Sequence, residues 1–296
     1  MKINIHPNAL QSGSDNLLPT GALSAMKYLA ESGVELQFDQ DSLTDQQVGL
    51  IENEEIKSST FSDSQLNGTI KKEGTELHFE HAGEVVEKSS DWTNLSRSIL
   101  FPSRTAEIKR DTKETDISIS INLDGTGESN ISTGLEFFDH MLDQIARHGL
   151  IDLDLNCEGD LKVDEHHTIE DTAIALGQAI REAISENKAG IQRYGFVLPM
   201  DEAQATVAID LSDRPFLRWD VELKREYVGD FPTEMLEHFF YTLAMNAKAT
   251  LHVKATAKNE HHLIESVFKG FARALRFAIS RNERIRGILP TTKGTI

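Results

Sequence analysis

The pattern of apolar and polar positions is weak over the first hundred residues. Gly21 to Leu36 has the period of an amphipathic helix that runs into a strand, and Lys72 to Val86 is typical of a hairpin. The stretch between them, Asp41 to Gly68, is polar. Residues 1–100 therefore show little of the periodicity that predicts a strongly packed domain.

Beyond this stretch the periodicity becomes clear. Ile117, Ile119 and Ile121 alternate with polar residues, which indicates a strand with one buried face, and two glycines follow at its turn. We therefore expect a boundary near residue 100, with an N-terminal segment of residues 1–100 and a folded domain of residues 101–296.

This domain contains an internal repeat. The first copy reads F-F-D-H-M-L-D-Q-I-A from Phe137 and H-H-T-I-E-D-T-A-I-A-L-G from His166. The second reads M-L-E-H-F-F-Y-T-L-A from Met235 and H-H-L-I-E-S-V-F-K-G-F-A from His261. Only the length of one loop differs between the copies, so the chain repeats one structural unit.

Each copy has the pattern of a helix, a strand and a second helix, and further strands precede it. The sequence therefore predicts an α+β fold of two duplicated helix-strand-helix half-domains. We place them at about 104–190 and 191–296, with helices packed on antiparallel or mixed sheets.

Histidines and glutamates recur at equivalent positions of the repeat. They are His140, His166, His167 and Glu170 in the first half, and His238, His261, His262 and Glu265 in the second. On a helix, residues four apart such as His166 and Glu170 lie on one face. Imidazole with one carboxylate per site suits manganese, iron or zinc. Six histidines and two glutamates therefore predict two metal sites.

The pseudo-symmetry of the repeat indicates how these ligands divide. One metal would take His166, Glu170, His238 and His262, and the other would take His261, Glu265, His140 and His167. The sequence leaves open whether the two halves meet within one subunit or across an interface.

Charge and cysteine content narrow the function classes. The formal net charge is −18, which argues against nucleic acid or an anionic membrane as the main partner. Residues 1–100 hold 16 acidic and 7 basic side chains, a net charge of −9. The single cysteine, Cys157, leaves no internal disulfide and argues against thiol redox chemistry. With neither an apolar run long enough for a bilayer nor a secretory pattern at the start, we expect a cytoplasmic protein.

The motifs around these residues resemble imidazoleglycerol-phosphate dehydratase over nearly all of Arg104 to Gly294. They include D-E-H-H-T-I-E-D-T from Asp164, R-Y-G-F-V-L-P-M-D-E-A from Arg193, N-E-H-H-L-I-E-S-V-F-K from Asn259 and L-P-T-T-K-G from Leu289. The resemblance implies a hydro-lyase of histidine biosynthesis that converts imidazole glycerol phosphate to imidazole acetol phosphate. It also implies two Mn²⁺ per active site, a small phosphate substrate and a homo-oligomeric shell of 24 subunits.

The resemblance also implies substrate and proton-transfer residues. Glu114, in the T-K-E-T run, is the first candidate for substrate contact and acid/base work, and Asp201 and Glu202 are the second. The predicted phosphate ligands are Arg193, Arg214, Lys269, Thr291 and Lys293. One departure from the family is Asp213, where glycine is common, since it puts a carboxylate beside a predicted phosphate ligand.

In some bacteria this dehydratase follows a phosphatase of the haloacid dehalogenase type, and S-S-D-W-T-N-L-S-R-S-I-L from Ser89 looks like that junction. The phosphatase needs an Asp-x-Asp-Gly-Thr loop after its first strand, but the first acidic residue here is Asp15, followed by Asn16. Residues 1–100 are therefore either a shortened, catalytically silent relative or an unrelated acidic extension. In both cases we expect no histidinol-phosphatase activity.

Two other functions compete with the dehydratase. One is a metal-binding assembly protein of the same fold that has lost catalysis, and the other is a hydrolase that uses a metal-bound water. The predicted phosphate ligands argue against the first, because an assembly role needs no phosphate site. The imidazole-rich ligand set argues against the second.

Overall fold

The computed structural model describes residues 1–12, 17–184, 188, 190–285 and 288–293. Asp15, Asn16 and Gly294 lie outside these residues. The chain divides into two compact units, Met1–Pro102 and Ser103–Ile296.

The first unit is a small α/β domain. Its elements are β1 (Lys2–Ile5), α1 (Pro7–Leu10), α2 (Ala22–Glu31), β2 (Glu35–Phe38), α3 (Asp45–Asn53), β3 (Gly68–Glu73), β4 (Glu76–His81), β5 (Glu84–Ser89) and α4 (Trp92–Leu100). They form one sheet of order β2-β1-β3-β4-β5, in which β1 runs parallel to β2 and β3 and the remaining pairs are antiparallel. Ile3, Ile5 and Leu29 are fully buried in its own apolar core.

Helix α3 lies inside the polar stretch whose pattern showed no period. Thr44 and Gln47 form a reciprocal capping box at its start, and Ile51 is its buried apolar residue. Local hydrogen bonds therefore start this helix where hydrophobic periodicity is nearly absent. The hairpin expected from Lys72 to Val86 is instead two successive hairpins, β3–β4 and β4–β5.

The second unit consists of two half-domains. The first contains β6 (Thr105–Asp111), β7 (Thr115–Asn122), β8 (Ser129–Ser132), α5 (Glu136–Gly149), β9 (Asp152–Gly159) and α6 (His166–Ile184). The second contains β10 (Tyr194–Met200), β11 (Ala203–Asp210), β12 (Phe216–Asp220), β13 (Tyr227–Val228), β14 (Phe231–Pro232), α7 (Met235–Asn246), β15 (Thr250–Thr256) and α8 (Glu260–Ala278).

Both halves build the same four-stranded mixed sheet. The orders are β6-β7-β9-β8 and β10-β11-β15-β12. In each sheet the first three strands are antiparallel and the fourth is parallel to its neighbour. The predicted α+β fold with duplicated half-domains is confirmed, and the β13–β14 ribbon is an addition to the second half.

The four helices of the second unit pack between its two sheets. Helix α6 packs on β6 and β7 and on α7, while α8 packs on β10 and β11 and on α5. Phe138, Phe239 and Phe268 are fully buried where the helices meet. The large apolar interior holds the first turns of α6 and α8, which carry the histidine pairs, in defined positions.

Cys157 lies on the buried face of β9. Burial raises the pKa of its thiol to about 11, so the thiol is protonated at neutral pH and a poor nucleophile. In the part of the chain that the structure describes, no helix is long and apolar enough to cross a membrane.

Candidate active site

Side chains from the neighbouring loops cap the two helices that carry the histidine pairs. The Asp164 carboxylate accepts a hydrogen bond from His166 N at 2.9 Å, and the Asn259 side chain accepts one from His261 N at 3.0 Å. These contacts satisfy backbone N–H groups that have no partner within the helix. Both histidine pairs are therefore held at the starts of their helices.

His166, Glu170 and His238 form the first cluster. Nε2 of His166 lies 3.4 Å from Glu170 Oε2, and Nε2 of His238 lies 3.1 Å from Glu170 Oε1. The two imidazole rings are 5.0 Å apart. Helices α6 and α7, from different halves, thus contribute to one group of ligands.

His140, His261 and Glu265 form the second cluster. Nε2 of His261 lies 3.4 Å and Nε2 of His140 lies 3.9 Å from the Glu265 carboxylate. Burial would raise the pKa of Glu265, but the hydrogen bond and charge of Lys269, 2.7 Å away, keep this pKa below its usual range. Glu265 is therefore an ionised carboxylate at neutral pH.

Both clusters fit a divalent metal ion. The possible ligand atoms in each lie within 4.8 Å of one another. Two ligands on one ion with bonds of about 2.2 Å are at most about 4.4 Å apart, so only small shifts are needed. Nε2 of His238 is buried, and although Glu170 Oε1 lies 3.1 Å away, the direction of approach does not make a hydrogen bond. A bound cation would satisfy this nitrogen.

His167, predicted as a fourth ligand, lies outside both clusters of its own chain. Its Nδ1 is 3.2 Å from both oxygens of Asp160, and its Nε2 is 3.7 Å from Glu114 Oε2. The hydrogen bond to Asp160 and the nearby carboxylates raise the pKa of His167. The structure thus places Glu114, the first acid/base candidate, beside a predicted ligand, with half of its side chain exposed.

His262 is likewise separate from the clusters. Its Nδ1 is 2.9 Å from Glu202 Oε2, while Glu202 Oε1 accepts a hydrogen bond from Asn259 N at 2.8 Å. These two hydrogen bonds lower the pKa of Glu202 to about 2, and the hydrogen bond and charge of Glu202 raise the pKa of His262. A carboxylate with so low a pKa is a weak base at neutral pH. Within this chain both carboxylate oxygens of Glu202 are engaged by hydrogen bonds, one with Asn259 N and one with His262.

Asp201 occupies the same β10–β11 turn and is exposed, with a left-handed φ of 49°. Aspartate tolerates this conformation in tight hairpin turns. The backbone conformation of the turn thus accounts for an aspartate at position 201.

Four of the five predicted phosphate ligands line one pocket of about 700 Å³. They are Arg193, Arg214, Thr291 and Lys293. Asp210 holds both guanidinium groups, at 2.7 Å from Arg193 and 3.4 Å from Arg214, yet both arginine side chains remain about 60% exposed. Their remaining N–H donors are available to an anion.

Lys269 does not line this pocket. It lies one helical turn after Glu265, so the geometry of α8 directs its ammonium group to that carboxylate and into the second cluster. His148 lies in the last turn of α5. Burial and the charge of Lys269 lower the pKa of His148. Within one chain the five predicted phosphate ligands therefore do not form a single site, because Lys269 lies apart from the other four.

Asp213 adopts a left-handed backbone with φ of 57°, a conformation that glycine takes readily and aspartate tolerates. Its carboxylate pairs at 2.7 Å with the buried Lys188. Asp213 is therefore satisfied by a nearby cation, which accounts for a carboxylate beside Arg214.

Sequence reasoning missed Asp160, Asp210 and Lys188. Asp160 lies at the start of the loop before α6, which is longer than the corresponding loop before α8, so the repeat gave no register for it. Asp210 was visible in D-L-S-D-R-P, but its role depends on β11 ending beside two arginines.

The comparisons with known proteins agree with this geometry. The sequence model of the family described as imidazoleglycerol-phosphate dehydratase matches residues 133–275. The imidazoleglycerol-phosphate dehydratase of Acetivibrio thermocellus is 54% identical over 195 residues, which is 65% of this chain and 99% of that protein. The histidine biosynthesis bifunctional protein HisB of Spirosoma linguale is 51% identical over 212 residues, or 72% of this chain. The match covers 55% of that protein, so the chain spans about half the length of such curated relatives.

Solved structures lead to the same family. The imidazoleglycerol-phosphate dehydratase of Staphylococcus aureus aligns with a TM-score of 0.55 and 36% identity, covering 60% of this chain and 99% of that one. The enzyme from Pyrococcus furiosus, in complex with (S)-C348, aligns with a TM-score of 0.55 and 34% identity, covering 64% of this chain and all of that one. With the duplicated fold and both ligand clusters in place, the chain belongs to the imidazoleglycerol-phosphate dehydratase family.

Proposed function

We propose that this protein dehydrates imidazole glycerol phosphate to imidazole acetol phosphate in histidine biosynthesis. The observation that carries the proposal is the pair of histidine–glutamate clusters at equivalent positions of the repeat, beside Glu114 and with a separate arginine pocket. A metal-binding assembly protein would need the clusters but neither the carboxylate nor the pocket.

The two clusters would hold two Mn²⁺ ions per active site, since imidazole and single carboxylates suit such borderline ions. When bound, the ions would polarise the imidazole ring of the substrate and make the adjacent C–H bond more acidic. Lys269 keeps Glu265 ionised and so ready to act as a ligand.

Glu114 is the residue best placed for proton transfer. Dehydration removes a proton from a side-chain carbon of the substrate and expels the hydroxyl of the neighbouring carbon as water. One protein group must therefore accept a proton, and one must supply a proton to the leaving hydroxyl. The Glu114 carboxylate is half exposed, with His167 as its only ionic partner within 4 Å among the described residues, and so can reach a substrate. Asp201 stays the second candidate.

The phosphate of the substrate would bind in the pocket of Arg193, Arg214, Thr291 and Lys293. In a protein of net charge −18, this local concentration of cations attracts a dianion. Asp210 keeps the two guanidinium groups in place without consuming all their donors.

We infer that the active site is completed between copies of the chain. His167 and His262 are left out of the clusters of their own chain, and Lys269 lies apart from the other phosphate ligands. All three would find their predicted partners if two subunits met at these faces. A cytoplasmic homo-oligomer with the 24-subunit shell of the family would provide such contacts, and metal binding would then be linked to assembly.

We further propose that the first unit is a shortened, catalytically silent relative of the haloacid dehalogenase-type phosphatase. Its strand β1, which lies between β2 and β3, is followed by His6, Pro7 and Asn8, where that chemistry needs two aspartates. The Asn8 side chain is engaged with the backbone of Lys72 through two hydrogen bonds.

The deciding experiment assays the full chain for imidazole acetol phosphate, together with metal analysis. Expected results are two Mn²⁺ per chain, loss of activity and of the large particle on chelation, recovery of both with Mn²⁺, and inhibition by a triazole phosphonate mimic of the substrate. A manganese-loaded particle without dehydration would favour the assembly protein. Release of phosphate instead of water would favour a hydrolase.

A further inference from the structure

The second histidine of each pair is held in the same way. Nδ1 of His167 faces Asp160 at 3.2 Å, and Nδ1 of His262 faces Glu202 at 2.9 Å. Neither carboxylate belongs to a cluster. Each histidine therefore has one ring nitrogen engaged by its own half-domain and the other, Nε2, turned away from that contact.

The two carboxylates come from positions that do not correspond in the repeat. Glu202 lies in the turn between β10 and β11, whereas Asp160 follows β9 and precedes the loop to α6. The turn equivalent to that of Glu202 contains Glu114, which lies near Nε2 of His167 rather than Nδ1. The fold thus makes the same contact twice from different places, so simple duplication of one carboxylate does not account for it.

Both carboxylates are fixed to the sheet that carries them. Asp160 N donates to the backbone oxygen of Glu114 at 3.0 Å, which ties Asp160 to the β6–β7 turn. Glu202 binds Asn259 N as well as His262, so it links the β10–β11 turn to the start of α8. A carboxylate that accepts a hydrogen bond from the Nδ1–H group of a histidine fixes the tautomer and the ring orientation. It also makes Nε2 a better metal ligand.

We propose that Asp160 and Glu202 are positioning residues that present Nε2 of His167 and His262, respectively, as the ligands that complete the two metal sites. The inference rests on the proposed function, because it assigns these histidines to the metals. It also explains why the two halves differ at the turn. Since Asp160 holds His167, Glu114 is free for substrate, whereas Glu202 is occupied by His262.

Each positioning residue serves one histidine, so a single substitution should weaken one metal site per chain and spare the other. Loss of such a partner typically lowers metal affinity by about 10–100-fold. We expect Asp160→Ala and Glu202→Ala each to convert the Mn²⁺ titration of the full chain into two phases, one with the wild-type affinity. The double variant should lose the high-affinity phase.

The amide variants Asp160→Asn and Glu202→Gln keep an oxygen that can accept a hydrogen bond from the Nδ1–H group. Orientation is then retained while the charge is lost, so their affinity loss should be smaller than that of the alanine variants. Glu158→Gln, an exposed β9 position two residues before Asp160, is the matched control and should titrate as wild type. Thermal unfolding of the metal-free proteins distinguishes positioning from a structural defect. Asp160→Ala keeps the backbone contact of residue 160, so its metal-free Tm should be unchanged. Glu202→Ala also loses the hydrogen bond from Asn259 N, so Glu202→Gln, which keeps an acceptor oxygen, is the variant whose metal-free Tm should be unchanged.

Two sites of wild-type affinity in both alanine variants would overturn the inference while leaving the dehydratase proposal intact. An equal loss at both sites together with a lowered metal-free Tm would also overturn it, in favour of a structural role. Wild-type protein that binds no Mn²⁺ would instead refute the proposed function, and the inference with it.

Discussion

The two halves of the second unit share a scaffold and a ligand set but differ in the groups beside them. In the second half Lys269 pairs with the cluster glutamate, whereas the equivalent residue after Glu170 is Ile174. In the first half the turn carboxylate Glu114 is half exposed, whereas Glu202 is engaged. Duplication thus preserves the cluster residues, because helical spacing fixes their positions. The two sites differ chemically in the residue one helical turn after the glutamate and in the carboxylate of the turn between the first two strands.

The largest loss of activity is expected from removing a cluster histidine that both halves provide. His166→Ala and His261→Ala should each lower activity by at least about a thousandfold, which corresponds to about 4 kcal/mol of transition-state stabilisation. Each removes the histidine that shares a helix face with its glutamate, so metal content should fall in both. Metal analysis with a product assay measures the result. Full metal occupancy in either variant would contradict the assignment of that histidine as a ligand.

The second largest loss of activity is expected at the turn carboxylate, whose surroundings differ between the two halves. Glu114→Gln should lower kcat by about 10²–10⁴-fold without changing Mn²⁺ affinity, because it removes a proton-transfer group. Glu202→Gln should lose activity only through weaker metal binding. Assays over a range of Mn²⁺ concentrations separate the two, since excess metal should restore Glu202→Gln but leave Glu114→Gln impaired. Recovery of both variants would place Glu114 among the positioning residues.

A third prediction compares a clamped carboxylate of the first half with an exposed one of the second. Asp124 binds Arg104 at 2.6 Å and Arg281 at 2.7 Å, and the side chains of Asp124, Arg104 and Arg281 are 24%, 18% and 25% exposed, respectively. Burial would raise the pKa of Asp124, but the hydrogen bonds and charges of Arg281 and Arg104 hold it far below its usual range. Asp124→Asn should therefore lower the free energy of unfolding by about 2 kcal/mol at pH 7.

The pH dependence of this effect follows from the sign of the shift. An unfolded aspartate titrates near pH ~3.9, whereas folded Asp124 stays ionised to a much lower pH. The stabilisation is complete above about pH 5 and declines progressively as the pH falls from about 4 toward the much lower folded pKa, so the difference between wild type and variant should narrow steadily over that range. Urea unfolding of the metal-free proteins measures this. Asp220→Asn, which breaks an exposed pair with Lys254, is the control and should change stability little.

The smallest effect concerns the first unit. Removal of residues 1–102 should leave dehydration within about twofold of the full chain, because every residue of the proposed site follows Pro102 and the Acetivibrio relative consists almost entirely of the matched region. A cut at residue 95 would instead divide α4 and expose its buried Ile99. A normally assembled but inactive truncation would assign the first unit a part in catalysis.

The full chain should also hydrolyse histidinol phosphate no faster than background, since the position after β1 holds His6 and Asn8 rather than aspartates. Phosphate release at an enzyme-like rate that is lost in His6→Ala would contradict this. Asn8→Asp alone should not create activity, because the second acidic residue would still be missing.

Most of the second unit was predictable because its signals are local. Alternation at Ile117 to Ile121 predicted a strand, and the repeat around His166 and His261 predicted equivalent helices carrying metal ligands. Helix α3 was not predictable from periodicity, because a capping box and one buried isoleucine start and hold it. The role of Asp160 could not be predicted either, because its loop before α6 is longer than the corresponding loop before α8 and the repeat therefore offers no equivalent position.

The sequence by itself determined the duplicated fold class, the residues that recur in the two clusters and the family, since helical spacing and motif content are properties of short segments. The tertiary structure decided which ligands gather, that His167 and His262 turn to carboxylates outside the clusters, and that Lys269 lies with Glu265 rather than with Arg193 and Arg214. Glu202 and His262, for example, are 60 residues apart. Contacts of this kind depend on how strands and helices pack, and no local pattern specifies them.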